Sequence, residues 1–426
     1  MSIKWRRILR PHNLLATAFI FLAMWVFSFI HIDHHRLDPF TYGIRDYDVT
    51  DIVYSRLRKT ETILDDRIVL VNTGNPDRMV LHKMLERIEA AQPRVVGIDL
   101  FLDSEKDSLT DALLQRTFQK NNNIVLVTSL ENFDEEKGYF EREGSCHPMF
   151  REFTKTGFSN FPGNRTQTIR MFSPETNVQN YKARSFATEI SLIYDSTSFK
   201  SLKKRGNELE RIHFNANEDS FLKFEPEVVL DSAVDLSKVM KDKIVLIGYL
   251  NDFQPDDPIV DRFFTPLNQK YAGRTIPDMY GLVLHANIIR MLLDRDYVNY
   301  FPKWATFIFA LALVYANTFF FFWNYKYFWY FKSFPKILYR WAHLIQVIEI
   351  ALLFLLTAWI FYAYKTRIDF TVAIVGLLLA FDLCIIYYYL KQNIRILGKV
   401  PDHFPIRHRK KKTPKTVQPI ETENKS

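Results

Sequence analysis

Four stretches, residues 13–32, 304–323, 345–364 and 370–390, are each about 20 residues long and almost wholly apolar. That is the length an α-helix needs to cross a hydrocarbon core of about 30 Å. Lipid offers no hydrogen bonds, so a spanning segment must satisfy its backbone internally, and a helix does this. The outline that follows is a basic N-terminus (1–12), one span, a long polar body (33–303), three clustered spans and a basic tail (391–426). Many of the 37 Phe and 21 Tyr crowd into the last third, as expected for lipid-facing helices.

Charge sets the orientation. Residues 1–30 and 304–426 carry 20 Lys and Arg against 6 Asp and Glu, whereas the chain as a whole is only +8, so residues 31–303 are net negative. Lys4, Arg6, Arg7 and Arg10 before the first span place the N-terminus in the cytoplasm. The loop with Lys326, Lys332, Lys336 and Arg340 then falls inside, as does the run 407–412 of the tail. Only Lys365 and Arg367, in a very short external turn, run against this topology. The first apolar stretch exceeds the usual signal-peptide core and lacks a small-x-small site after it, which predicts an uncleaved anchor. The expected location is a bacterial inner membrane, with residues 33–303 outside and both termini inside. The polybasic tail is accounted for by topology and by anionic membrane lipids, and no nucleic-acid partner is expected.

Two cysteines, Cys146 in the polar body and Cys384 in the last span, lie in different compartments and cannot pair with each other. A body of about 270 residues can bury its own core without cross-links. Within it, residues 68–71, 95–98, 124–127 and 244–247 are continuous, β-branched apolar words. Unbroken runs suit strands covered on both faces. Between and after them, 77–91, 111–120 and 281–293 place apolar residues at helical spacing. The expectation is an α/β domain with an open, mostly parallel sheet, helices on both faces and right-handed crossovers. Residues 131–225 suggest an irregular, β-containing insertion at one edge, 33–60 an entry stalk, and 413–426 a disordered end.

An aspartate-punctuated run closes the body: Lys243 to Gly248, Asp252, Asp261, Thr265-Pro266, Gly281 and His285-Ala286-Asn287. Earlier come Asp66 to Val71, Val95 to Asp99, Asp107, Asp111 to Leu114, Gly157 to Asn160 and Ile169-Arg170. Over most of residues 61–298 this order resembles the second type of CHASE extracellular sensory domain. The resemblance implies one span before the domain and three after it, as counted here, and usually a cytoplasmic kinase or cyclase output. This chain departs in having about 36 residues after position 390, Asn75 to Arg78 where many members carry Trp-Pro-x-x-Arg, and Asn164 to Thr166 in place of an Asp-Gly.

In open α/β sheets ligands lie beyond the carboxyl ends of the strands. Asn72, Asp99, Thr128 and Asp252 occupy such positions, and Asp261, Thr265 and His285 are expected to join them. Asp99 is the first choice, since a carboxyl ending an apolar strand can meet a cation or hydroxyl; the alternative is that it caps a following helix or accepts loop amide hydrogens. His285 lies on an apolar helix stripe and also reads as a packed core histidine. The many acids (Asp99, Asp103, Asp107, Asp252, Asp256, Asp257, Asp261) match no calcium loop and read as solvated charge, so no metal is expected. No phosphate loop, dinucleotide fingerprint, nucleophile elbow or zinc-protease pair occurs, and Cys146-His147 adjacency does not make a catalytic pair. Neither an enzyme nor a cofactor is expected.

Within the spans, Glu349 and Asp382 count back to the cytoplasmic side and Asn317 reaches a similar depth. Acids in hydrocarbon are costly and usually paired or functional, so these residues are expected to form an intramembrane contact that holds the bundle or meets a partner's basic residue. The leading expectation is a signal-input or relay protein that binds a small molecule or an envelope protein outside and acts through a membrane-embedded partner. The alternative is a docking subunit of an envelope complex.

Overall fold

The structure, a computed structural model, describes residues 10–29, 48–57, 63–74, 76–163, 167–250, 261–268, 276–328 and 335–393. The chain divides into two compact units: a head of Ile32–Pro302 with Phe354–Ile368, and a helical unit holding the remainder.

Among the described residues, nine strands of the head form one sheet. They are β1 (Asp65–Asn72), β2 (Val95–Ile98), β3 (Ile124–Asp134), β4 (Tyr139–Gly144), β5 (Lys155–Phe158), β6 (Glu175–Val178), β7 (Tyr181–Arg184), β8 (Phe221–Phe224) and β9 (Ile244–Gly248). The spatial order is β8-β1-β9-β2-β3-β4-β6-β7, with β5 also paired to β3. Neighbours from β8 to β3 run parallel, as does β5 on β3. The pairs β3–β4 and β6–β7 are antiparallel.

The unbroken apolar words follow from two covered faces. Ile68, Leu70, Val125, Val127, Ile244 and Leu246 pack with Phe186, Ile190 and the helix Gly281–Asp294. Their alternates, including Val69, Val71, Val96, Ile98, Leu126 and Ile247, pack with Leu81, Met84, Leu85, Leu114 and Phe118 of the helices Arg78–Ala90 and Ser108–Lys120. A strand sends successive side chains to opposite faces, so both sets must be apolar here. Each such side chain fully buried contributes about 1.5–3 kcal/mol. Helix starts are capped locally: Asp107 accepts from Thr110 N at 3.0 Å and Ser185 from Thr188 N at 3.3 Å.

Residues 131–225 do more than decorate one edge. Strands β4, β6 and β7 extend that edge, but β8 lines the opposite one, and the helix Phe186–Tyr194 is part of the core. Gly157 permits this, because a Cβ there would lie 2.6 Å from Phe186 Cα. The described part of the expected stalk is likewise no stalk. Residues 49–57 are helical, Tyr54 is buried in the core, and Asp51 pairs with Arg170 at 2.5 Å.

The segment Phe354–Ile368 belongs to the head. Phe361 meets Tyr54 edge-on with centroids 5.4 Å apart, and Thr366–Arg367 pair with Asn299–Tyr300. Lys365 lies 2.6 Å from Asp296 and Arg367 3.2 Å from Asp48. The two cations that run against the charge pattern are therefore counter-ions of head carboxylates.

Among the described residues, four helices are long and apolar enough to cross a membrane: Pro11–Ser28, Lys303–Trp323, Trp341–Tyr364 and Thr371–Lys391. In the helical unit Ala16, Ile20, Val314, Phe322, Ala380 and Cys384 form a shared core, and Thr17 and Thr318 hydroxyls meet at 3.0 Å. The third helix joins through polar contacts as well, with Gln346 Nε2 donating to Leu377 O at 2.6 Å.

Candidate functional site

A cavity of about 980 Å³ opens beyond the carboxyl ends of the parallel strands. Gly74 follows β1, Asp99 follows β2, Ser129 lies in β3, Ser159 follows β5 and Tyr249 follows β9, and all five line it. It thus occupies the crevice position expected of a parallel sheet.

Asp99 is fixed where its strand ends, its N–H donating to Ile247 O at 2.8 Å. It does not cap the next helix; Asp107 does. Its side chain keeps partial exposure only because it faces the cavity, and it is otherwise deeply enclosed. Burial raises the Asp99 carboxyl well above the usual range, and the nearby charge of Asp261 raises it further. Protonated, Asp99 can donate a hydrogen bond as well as accept one.

Asp261 and His285 reach the same cavity through one helix start. Gly281 N donates to Asp261 O at 3.0 Å, and a Cβ on Gly281 would lie 2.6 Å from Asp261 Oδ2. The glycine therefore makes room for the carboxylate. One turn on, at i+4, His285 lies on the same side of the helix. Its ring stands 5.2 Å from Phe161 and 5.1 Å from Phe186, and its Nδ1 is buried without a hydrogen-bond partner. Burial pulls its pKa to about 3, which keeps the imidazole neutral. His285 is thus both packed and cavity-lining. An unsatisfied buried nitrogen costs about 1–3 kcal/mol, which a hydrogen-bonding ligand would offset.

Of the remaining expected residues, the described ones, Asn72, Thr128 and Thr265, are not among those lining the cavity. Asn72 fastens loops: its Oδ1 accepts from Gly74 N and Leu250 N, both at 2.9 Å, and its Nδ2 donates to Glu225 at 2.6 Å. Thr265 N donates to Asp278 at 2.8 Å and its hydroxyl to the same carboxylate. Thr128 is buried, with its hydroxyl 3.4 Å from Glu143. Asp252 lies outside the described residues. Sequence reading missed Asn160 and Phe161 as lining residues, although they too follow a strand. Asn160 bonds Leu130 N at 2.6 Å and Leu130 O at 3.1 Å, continuing the ladder with its side chain.

Among the described residues no group of three or more His, Cys, Asp or Glu is placed to hold a metal. Burial pushes the Cys146 thiol up to about 11, and the His147 ring accepts from Met149 N at 3.4 Å at the start of a short helix. A thiol of that kind is a poor nucleophile.

In the spans, Asn317 Nδ2 donates to Glu349 Oε1 at 3.2 Å. Asp382 is exposed on its helix, and no hydrogen bond or ion pair among the described residues joins it to Glu349. The three polar groups therefore do not form one contact: Glu349 meets Asn317, and Asp382 is exposed.

A model of the CHASE2 domain family matches residues 60–318. No curated protein and no solved structure matches the chain. The matched stretch takes in every residue placed around the cavity, and the chain belongs to the CHASE2 domain family.

Proposed function

We propose that the protein is a sensor of a bacterial inner membrane whose head, outside the cell membrane, takes a small polar molecule into the cavity. Occupancy is relayed through the spans to partner proteins, with both termini in the cytoplasm. The reading treats the sheet as open, so that ligand and loops meet at the strand ends. It rests on one observation above all: Asp99 and His285, whose buried Nδ1 has no hydrogen-bond partner, line one cavity, and burial pushes both toward their neutral forms. Such a pair suits recognition of hydroxyl or amine groups by hydrogen bonding. It does not supply a nucleophile and base, so the proposed action is binding, without metal or cofactor.

The test uses the full-length protein in detergent micelles, unfolded thermally in the presence of single amino acids, amines and sugars. At least one is expected to raise the midpoint with concentration, by an amount equivalent to about 2.7 kcal/mol at one hundred times its Kd. Asp99→Leu is expected to remove the effect. If none acts, and a protein instead accompanies the chain at constant stoichiometry through purification, the head is a docking surface of an envelope complex.

A further inference from the structure

Of the two acids inside the spans, Glu349 is engaged by the Asn317 amide within its own helical unit. Asp382 is exposed. It is the twelfth residue of the 23-residue helix Thr371–Asn393, so at about 1.5 Å per residue it lies about 16 Å from either end. That is mid-bilayer, where a carboxylate is worst solvated and where lipid headgroups do not reach. The surrounding face is apolar: Leu378 one turn before, and Ile385 and Ile386 one turn after, are also exposed. The helix's other side, with Leu377, Ala380, Phe381 and Cys384, is buried. Asp382 thus stands alone in an outward stripe.

The described spans contain no Lys or Arg other than Lys303 and Lys391, each at a span end. The described spans of a second copy therefore bring no Lys or Arg to Asp382 at mid-helix.

We infer that this stripe docks a transmembrane helix of another protein that carries a Lys or Arg near its middle. The inference is independent of the cavity, and its test does not involve a ligand. Full-length protein, labelled with a donor dye, is reconstituted in phosphatidylcholine vesicles with an acceptor-labelled leucine–alanine helix bearing one central Lys, or with the same helix bearing Leu there. Energy transfer is expected to show at least tenfold tighter association for the Lys helix. Asp382→Asn and Asp382→Leu are expected to abolish that preference, while Glu349→Gln keeps it. Asp382→Lys is expected to restore it toward a helix with a central Asp, which separates lost charge from lost folding.

Equal association of the two helices with the wild-type protein overturns the proposal. So does transfer between two labelled copies of the chain that survives Asp382→Asn and disappears in Asp382→Leu, which would make the stripe a self-association face.

Discussion

Arg78 and Asp111 in the head are almost fully enclosed and paired with each other, and Arg205 with Glu210 and Arg211 with Asp48 repeat the arrangement. In the helical unit Glu349 has an amide for a partner and Asp382 faces outward. Both regions keep charged side chains out of water, yet the head answers these acids with guanidinium groups, whereas Glu349 is answered by an amide. The difference is one of solvent and connectivity. A folded head has many loops from which to bring a cation to an anion, whereas antiparallel apolar helices have almost none. An acid at mid-span costs about 2.5–3.5 kcal/mol on insertion scales, so one without an internal partner points beyond the chain.

The comparison breaks most visibly if head pairs prove dispensable. Arg78, whose guanidinium also lies over the Phe150 ring, is the counter-charge of Asp111, and Arg78→Ala leaves that carboxylate buried without it. A loss of about 3–5 kcal/mol is expected in denaturant unfolding, and Arg78→Met with Asp111→Leu should recover much of it. A loss below 1 kcal/mol would mean that the head does not depend on pairing. Gly157→Ala tests packing instead, because its Cβ meets backbone that cannot rotate aside. About 1–3 kcal/mol of destabilisation is expected from the thermal midpoint, relative to the more open Gly74→Ala corrected for its left-handed backbone.

Glu89 sharpens the contrast, being the head's counterexample. Its Oε1 is buried without a partner and its Oε2 accepts only from Asn123, at 3.2 Å. Burial raises its pKa from 4.5 to about 7. The folded state therefore holds this proton more tightly than the unfolded one, so the associated stability is complete below pH 4.5 and is lost as pH rises through 7. Allowing for partial exposure, about 1–2 kcal/mol should disappear between pH 5 and 8. Glu89→Gln should flatten that part of the profile in paired urea titrations; an unchanged slope would assign it to another group.

What was legible in the sequence divides along the same line. The strands were readable because Ile68 to Val71 or Ile244 to Ile247 are apolar at every position, a pattern that two covered faces require. Their order was not. Strand β9, the last of the nine in chain order, inserts between β1 and β2, and nothing local to Ile244–Gly248 encodes a crossover from so far away. Asp99, Asp261 and His285 emerged from strand-end and motif logic, and all three line one cavity. Asn72 and Thr265 obeyed the same logic but fasten loops, because a polar side chain at a strand end serves either use. Depth counting brought Asn317 and Glu349 together. It was blind to the face on which Asp382 lies, since a span that is apolar all round carries no periodic signal.

The smallest expected effect concerns the turn that runs against the charge pattern. Lys365 lies 2.6 Å from Asp296 with nearly half of its side chain exposed, and Asp296 also has His213 at 3.0 Å. Hydrogen bonds from His213 and Lys365 outweigh the effect of burial and hold Asp296 down to about 2. Arg367 similarly shares Asp48 with Arg211. Asp48 therefore keeps Arg211, and Asp296 keeps His213 at 3.0 Å, when the turn residue is removed, unlike Asp111 without Arg78. Lys365→Ala should cost no more than about 1 kcal/mol, and the difference should shrink in 1 M salt, which screens half-exposed pairs of this kind. A salt-insensitive loss above about 2 kcal/mol would break the comparison here: the turn would then be anchored by desolvated pairing of the kind seen beneath the sheet.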